Sequence, residues 1–167
     1  MTGSVPHAHP YAAVTVAAPS SPEARAVLTA YFRDIVSRYH QRAAEPGEVR
    51  AVMAAEPSAD LCPPHGLFLL ARRDDAVIGC AGLRLLPART GEVTRLFVVP
   101  QTRRHGVGKQ LLYAVEDAAR QHAVSRLRLD TRSELAEARQ LYTNGYQEVA
   151  PFNDGRFADH WCGKILS

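Results

Sequence analysis

The chain has 167 residues, of which 46% are hydrophobic, so it is long enough to bury the core of one domain. Twenty basic and seventeen acidic residues give a net charge of +3, and the scattered arginines, with no aromatic residues among them, argue against a nucleic-acid partner. Because we find neither an apolar stretch of about 18 residues nor a charged and then apolar N-terminus, we expect no membrane span, no signal peptide and a cytoplasmic location.

The first ten residues (MTGSVPHAHP) are predicted to form a flexible tail, followed by a single domain over residues 11–167. His7 and His9 in the tail could bind a metal ion. Because the sequence offers no third ligand nearby, a solvated tail is the favoured interpretation, and we predict no metal site.

The first strand is predicted at Tyr11–Ala17, and a helix follows it. Ser20 and Glu23 have the spacing of a capping box at a helix start, with a proline in the first turn. Apolar residues then recur at helical spacing, which predicts an amphipathic helix whose aromatic residues lie in the core; these are Val27, Leu28, Tyr31, Phe32, Ile35, Val36 and Tyr39. A short helix is predicted near Val49–Ala55.

The central part of the chain has the pattern of strands. Leu67–Ala71 and Ala76–Leu86 are predicted to form a hairpin that turns at Arg73–Asp75. A second turn leads into a strand from Val93 to Val99, which Pro100 ends.

A basic turn, Arg103–Gly108, then connects this strand to a helix that begins at Val107. Unbonded N–H groups in a first helical turn and the helix dipole both favour a bound phosphate. Gly106 and Gly108 would let the phosphate approach the amides closely, and arginine and lysine side chains nearby add positive charge. The turn is therefore predicted to bind an anion.

Two well-known phosphate-binding loops do not match this turn. A Walker A loop would require Gly at position 103 and Ser or Thr at 110, which here are Arg103 and Gln110. A dinucleotide-binding loop would require a third glycine at position 111, which is Leu111. A nucleotide-binding domain is thus disfavoured.

The last third of the chain adds a strand at Leu127–Thr131, a helix around Leu141 and a final hairpin from Tyr146 to Leu166. Together the elements predict a mixed α/β sheet covered by helices. The three cysteines, Cys62, Cys80 and Cys162, have no CxxC spacing, so free thiols in a reducing compartment are favoured over a catalytic cysteine.

Two motifs in this order resemble one known family. They are Arg103-x-x-Gly106-x-Gly108 after a strand and proline, and the segment ARQLYTNGY that ends at Tyr146. Together they resemble the GNAT superfamily of acyl-CoA-dependent N-acetyltransferases, most closely over residues 66–150.

The resemblance implies a fold and a cofactor. The fold would be an α/β domain with a mixed, mostly antiparallel central sheet, two splayed parallel strands and helices on both faces. Acetyl-CoA would lie between the splayed strands, where the backbone of Leu96, Phe97 and Val98 would pair with the pantetheine arm. The turn would hold the pyrophosphate, and this set comprises Arg103, Arg104, His105, Gly106, Val107, Gly108 and Lys109.

The resemblance also implies catalytic roles, because acetyl transfer needs a base, an oxyanion donor and an acid. Glu92 is the predicted base, directly or through water, although it could instead be a solvated residue at a strand end. Tyr142 is the predicted acid for the coenzyme A sulfur, although it could be a core tyrosine. The backbone N–H of Val98 is the predicted oxyanion donor. Arg95 faces either the acceptor or the sheet surface.

The sequence departs from the family where Leu135 replaces an asparagine that often contacts the cofactor, and where Arg104 replaces a frequent glycine in the turn. The acceptor is predicted to be a small-molecule amine. A protein N-terminus, a lysine, or a non-catalytic acyl-CoA-binding module remain the alternatives. Dimers are common in similar proteins, so a homodimer is one expectation, and no nucleic-acid or membrane partner is expected.

Overall fold

A computed structural model describes residues 11–132 and 138–167. The predicted tail with its two histidines, and Leu135, lie outside the described residues. Seven strands form one sheet in the order β1-β2-β3-β4-β5-β7-β6. The strands are β1 (Ala13–Val16), β2 (Gly66–Arg73), β3 (Ala76–Leu86), β4 (Thr90–Val98), β5 (Arg126–Thr131), β6 (Gln147–Glu148) and β7 (His160–Ile165), and the helices are α1 (Pro22–His40), α2 (Pro46–Ala55), α3 (Val107–Gln121) and α4 (Ala138–Thr143).

The start of α1 differs from the prediction by one residue. The N-cap is Ser21, whose hydroxyl accepts a hydrogen bond from the Ala24 N–H at 3.2 Å, so the predicted capping box from Ser20 to Glu23 is wrong. Pro22 at the first helical position favours this start, because its fixed φ suits the helix and it has no N–H to satisfy.

Helix α2 begins three residues before the predicted Val49, because the side chains of Glu45 and Glu48 form a reciprocal capping box at its start.

None of the helices in residues 11–132 and 138–167 has the length and apolar character that a membrane span requires.

The sheet carries helices on both faces, as predicted, because side chains along a strand alternate between the faces. Phe68 and Leu70 of β2 belong to a buried cluster with α1 residues. Leu69 and Ala71 belong to another buried cluster with α3 residues. The nearly continuous apolar sequence of β2 is explained by this two-sided burial.

The parallel pair β4 and β5 is short and then opens. Thr90, Gly91 and Glu92 pair with Arg126, Leu127 and Arg128, and no further β4–β5 pair forms within the described chain. The remaining strand neighbours are antiparallel. The predicted fold, a mostly antiparallel sheet with two splayed parallel strands, is therefore confirmed.

The final hairpin also forms, but with only two residues in β6, which pairs with β7. The connection over residues 149–159 is therefore a long loop, and part of it reaches the gap between β4 and β5.

Candidate active site

A cavity of about 590 Å³ opens where β4 and β5 separate. Its walls come from α1, the segment after α2, the splayed ends of β4 and β5, and the loop before β7. The cavity thus lies at the end of the parallel pair, which is where ligands bind in open α/β sheets.

Glu92 lines this cavity on β4 and is held by two arginines. Its carboxylate lies 3.4 Å from Arg84 Nη1 and 3.1 Å from Arg128 Nε, one guanidinium on each carboxylate oxygen. The side chain is 15% exposed, so Glu92 is not a solvated strand-end residue. Glu92 therefore lies in the cavity wall, and the role of base stays a prediction.

Arg95 lies in a β-bulge of β4 and faces the cavity. The register with β3 shifts between Cys80 and Gly82, which gives β4 one extra residue, and Arg95 has a φ of 56°. Such a backbone conformation is strained for a side-chain-bearing residue. Hydrogen bonds to Ser58 Oγ at 3.2 Å and to the Glu56 carbonyl at 3.1 Å hold the buried guanidinium.

The bulge changes which side chains at the end of β4 face the gap between β4 and β5. Leu96 now lines the cavity, while Phe97 and Val98 are both buried. Past Glu92, the β4 backbone has no β5 partner among the described residues. Its edge is therefore available for the pantetheine pairing predicted at Leu96, Phe97 and Val98, and that pairing stays a prediction.

The basic turn leads directly into α3, whose predicted start at Val107 is confirmed. Gly106 is the N-cap with φ 78°, and Arg104 also has a positive φ of 71°. A Cβ at Gly106 would meet no atom within 4 Å, so the glycine is required by its backbone conformation and not by crowding. Because no side chain caps α3, the N–H groups of its first turn remain available to an anion.

The basic side chains of the turn point in different directions. Arg103 turns inward, where its Nε donates to the Val98 carbonyl at 3.0 Å and its Nη2 lies 3.8 Å from Asp34 Oδ2. Arg104 and Lys109 are exposed. Arg104 and Lys109 are therefore the side chains best placed to supply the positive charge predicted for a phosphate. The Arg103 guanidinium is already engaged by the Val98 carbonyl and lies near Asp34.

The His105 side chain is in contact with the residue that precedes β1. Its ring is exposed but stacks on Tyr11 with the centroids 4.2 Å apart and the planes nearly parallel. The contact ties the turn to the residue that precedes β1, and the backbone N–H of His105 is unaffected by it.

Tyr142 on α4 is 47% exposed, which excludes the core position considered for it, while its neighbour Leu141 is buried and lines the cavity. The Tyr142 hydroxyl lies 3.9 Å from the sulfur of Cys162. This contact raises the pKa of Tyr142 above its ordinary value. Tyr142 is therefore protonated at neutral pH, as an acid must be, and its catalytic role stays a prediction.

Several cavity residues were not predicted as site residues. Tyr31 was assigned to the core from its helical spacing, but it is half-buried and lines the cavity, and burial raises its pKa far above the ordinary value. Asp130 and Asn153 also line the cavity. The sequence signal available for Asp130 was its place at the end of the splayed strand.

In the chain that the structure describes, no group of three or more histidine, cysteine, aspartate or glutamate side chains is arranged to hold a metal ion.

Comparisons with known proteins agree with this geometry. The sequence model of the family described as "Acetyltransferase (GNAT) family" matches residues 29–146 of this chain. The IAA acetyltransferase of Azospirillum brasilense is 37% identical over 94 residues, which are 55% of this chain and 61% of that protein. The chain spans about three fifths of the length of the curated relatives it matches.

Solved structures share the fold over nearly the whole chain. A Klebsiella pneumoniae protein, provisionally named an acyl-CoA N-acyltransferase, superposes with a TM-score of 0.70 at 27% identity, covering 93% of this chain and 98% of its own. The PaiA N-acetyltransferase of Thermoplasma acidophilum, solved in complex with coenzyme A, has a TM-score of 0.67 at 19% identity, covering 92% and 99%.

Proposed function

The chain belongs to the GNAT family of acetyltransferases, and from this premise we propose that it transfers the acetyl group of acetyl-CoA to a primary amine of a small molecule. One observation carries the proposal. The β4 strand separates from β5 and borders a cavity of about 590 Å³, and the turn after β4 leads to the uncapped start of α3. A cofactor bound along this path would present its thioester to the cavity.

The residues present fit coenzyme A. The open amides at the start of α3, with Arg104 and Lys109 beside them, suit a diphosphate. In the described chain, the β4 edge at Leu96–Val98 has no β5 partner, and apart from the Val98 carbonyl, which Arg103 engages, it suits the amide groups of the pantetheine arm, which can bond to it as an added strand would. When bound, acetyl-CoA supplies the activated acetyl group.

The reaction then requires three tasks of the protein. Glu92, acting through a water molecule, accepts a proton from the acceptor's ammonium group, and the neutral nitrogen attacks the thioester carbonyl and then releases its second proton to solvent. The backbone N–H of Val98 donates to the oxyanion of the tetrahedral intermediate. When the carbon–sulfur bond breaks, Tyr142 gives its proton to the departing thiolate. The products are an amide and coenzyme A.

Replacing Tyr142 with phenylalanine should slow turnover and leave acetyl-CoA binding unchanged, because only the acid's hydroxyl is lost. We expect kcat to fall about a hundredfold, the lower end of the range for general acid–base groups. Since the pKa of Tyr142 is raised, wild-type kcat should persist until the pH exceeds about 10, the ordinary tyrosine value. Steady-state kinetics with a thiol reagent measure both effects.

The control is Tyr113→Phe, which removes the hydroxyl of an exposed tyrosine on α3. A similar fall in kcat for both variants, or none for Tyr142→Phe, would contradict the acid role.

The test of the proposed function is thiol release from acetyl-CoA with a panel of small amines, peptide N-termini and lysine peptides. Release with small amines is the expected result. Release with peptides alone would support a protein acceptor instead.

A non-catalytic acyl-CoA-binding module is the second candidate, and the engagement of Glu92 by two arginines is the observation that favours it. Calorimetric binding of acetyl-CoA with no thiol release for any amine would establish that alternative. Light scattering of the same sample would test whether the protein is a homodimer.

A further inference from the structure

We propose that Asp130 is the residue that binds the acceptor's ammonium group, and that the acceptor is a monoamine with an apolar body. The proposal rests on the proposed function and specifies the substrate class of the same site.

Asp130 lies where the acceptor must enter. It is the fifth residue of β5, and β5 pairs with β4 only as far as Arg128. The side chain is half-buried and lines the cavity. Asp130 is thus on the strand opposite the cofactor edge of β4, across the gap in which an acetyl group would lie.

The loop before β7 fixes the Asp130 carboxylate. Asn153 Oδ1 accepts hydrogen bonds from Trp161 Nε1 at 2.9 Å and from the Gly155 N–H at 3.0 Å. The amide is therefore oriented so that Nδ2 donates to Asp130 Oδ2, at 2.7 Å. Asn153 is a positioning residue, and the second oxygen, Oδ1, remains as an acceptor for a bound ammonium.

The two carboxylates at the gap differ in what holds them. Glu92 contacts two guanidinium groups, one from Arg84 and one from Arg128. Asp130 is instead contacted by the neutral amide of Asn153, and the described chain places no guanidinium or ammonium in salt-bridge contact with it. A carboxylate with a neutral partner keeps its full attraction for a cation. Asp130 is therefore better suited than Glu92 to bind an ammonium.

The rest of the cavity selects the body of the acceptor. Apolar side chains form much of the wall, namely those of Tyr31, Ile35, Leu129, Leu141 and Phe157. Four carboxylates and four guanidiniums line it, so the cavity has no excess negative charge to attract a polyamine; they belong to Glu56, Asp60, Glu92 and Asp130, and to Arg84, Arg95, Arg132 and Arg156. One ammonium on an apolar body matches this wall.

The test is steady-state kinetics of Asp130→Asn with acetyl-CoA and 2-phenylethylamine, or the monoamine of the panel with the highest kcat/KM. Because the change removes charge and preserves shape, KM for the amine should rise about thirtyfold, as for loss of a partly buried ion pair. We expect kcat to stay within about threefold and KM for acetyl-CoA to stay unchanged. Asn153→Ala should raise the amine KM less, because the Asp130 charge remains.

Two comparisons make the result specific. Asp154→Asn makes the same chemical change at an exposed position of the same loop, outside the cavity lining, and should leave KM unchanged. Glu92→Gln should lower kcat instead of raising KM, because Glu92 is proposed to accept the proton in the reaction and not to bind the ammonium group.

The outcomes separate this proposal from the function on which it rests. Thiol release with an unchanged amine KM in Asp130→Asn, or a preference for spermidine over monoamines, would overturn the assignment and leave the acetyltransferase intact. If Asp130→Asn fails to fold, the affinity of the wild-type protein for the neutral analogue 2-phenylethanol, measured as inhibition of acetyl transfer, decides whether an anionic group binds the acceptor. Binding about tenfold weaker than that of 2-phenylethylamine supports an anionic partner, and equal binding overturns it. No release with any amine would instead refute the proposed function.

Discussion

Gly108→Asp is expected to reduce acetyl-CoA affinity by at least about a hundredfold. Gly108 is the second residue of α3 and is buried at the helix start, among the amides assigned to the diphosphate. A carboxylate there adds a side chain where the phosphate must approach and repels its charge. At about 5 Å and an effective dielectric of about 20, one pair of like charges costs about 3 kcal/mol, which alone accounts for a hundredfold loss. Isothermal titration with acetyl-CoA measures it.

The control for this variant is Gln121→Asp, which adds the same charge at the exposed far end of the same helix, about 20 Å away. Its affinity should match the wild type. Circular dichroism checks that both variants are folded, since Gly108 is buried. A folded Gly108→Asp variant with wild-type affinity would mean that the diphosphate binds elsewhere.

Glu116→Ala is expected to destabilise the protein by about 3–5 kcal/mol, the cost of leaving a buried charge without its partner. Glu116 of α3 is 2% exposed, and its Oε1 accepts a hydrogen bond from Lys164 Nζ at 3.0 Å. Lys164 also donates to the Asn144 carbonyl at 2.6 Å, so one ammonium joins α3, β7 and the end of α4. Urea denaturation measures the loss, which corresponds to a fall in Tm of about 10 °C.

Asp117→Ala serves as the matched control, because Asp117 is the adjacent residue and its ion pair with Arg120 is exposed. Its effect should stay below about 1 kcal/mol. The double variant Glu116→Leu with Lys164→Met should recover most of the lost stability, since apolar groups of similar volume can replace a buried pair. Equal stability of Glu116→Ala and the wild type would show that the buried pair contributes nothing.

Local sequence patterns predicted most of the elements. The hairpin of β2 and β3, the β4 strand and the start of α3 were all expected, because their apolar period and the proline and glycine between them act over a few residues. The N-cap of α1 was misplaced by one residue, because two adjacent serines can both cap and the geometry of Pro22 decides between them.

The candidate site was predicted less completely. The basic turn and Glu92 could be proposed as site residues, because each belongs to a motif contiguous in sequence, and their roles stay predictions. The bulge at Arg95 depends on the register with β3, which no local pattern encodes. The contact between Asp130 and Asn153 joins residues 23 positions apart, so neither residue could be assigned to the site from its own surroundings.

By itself, the sequence determined where the helices and strands lie, which turn carries the positive charge, and which family the chain resembles. The tertiary structure alone decided the partners of the charged groups. It gave Glu92 two arginines from neighbouring strands, turned Arg103 inward, and left Asp130 with a neutral amide. The physical reason is range. Backbone propensity and capping act within a few residues, whereas an ion pair or a strand register is chosen only when distant segments meet in the folded chain.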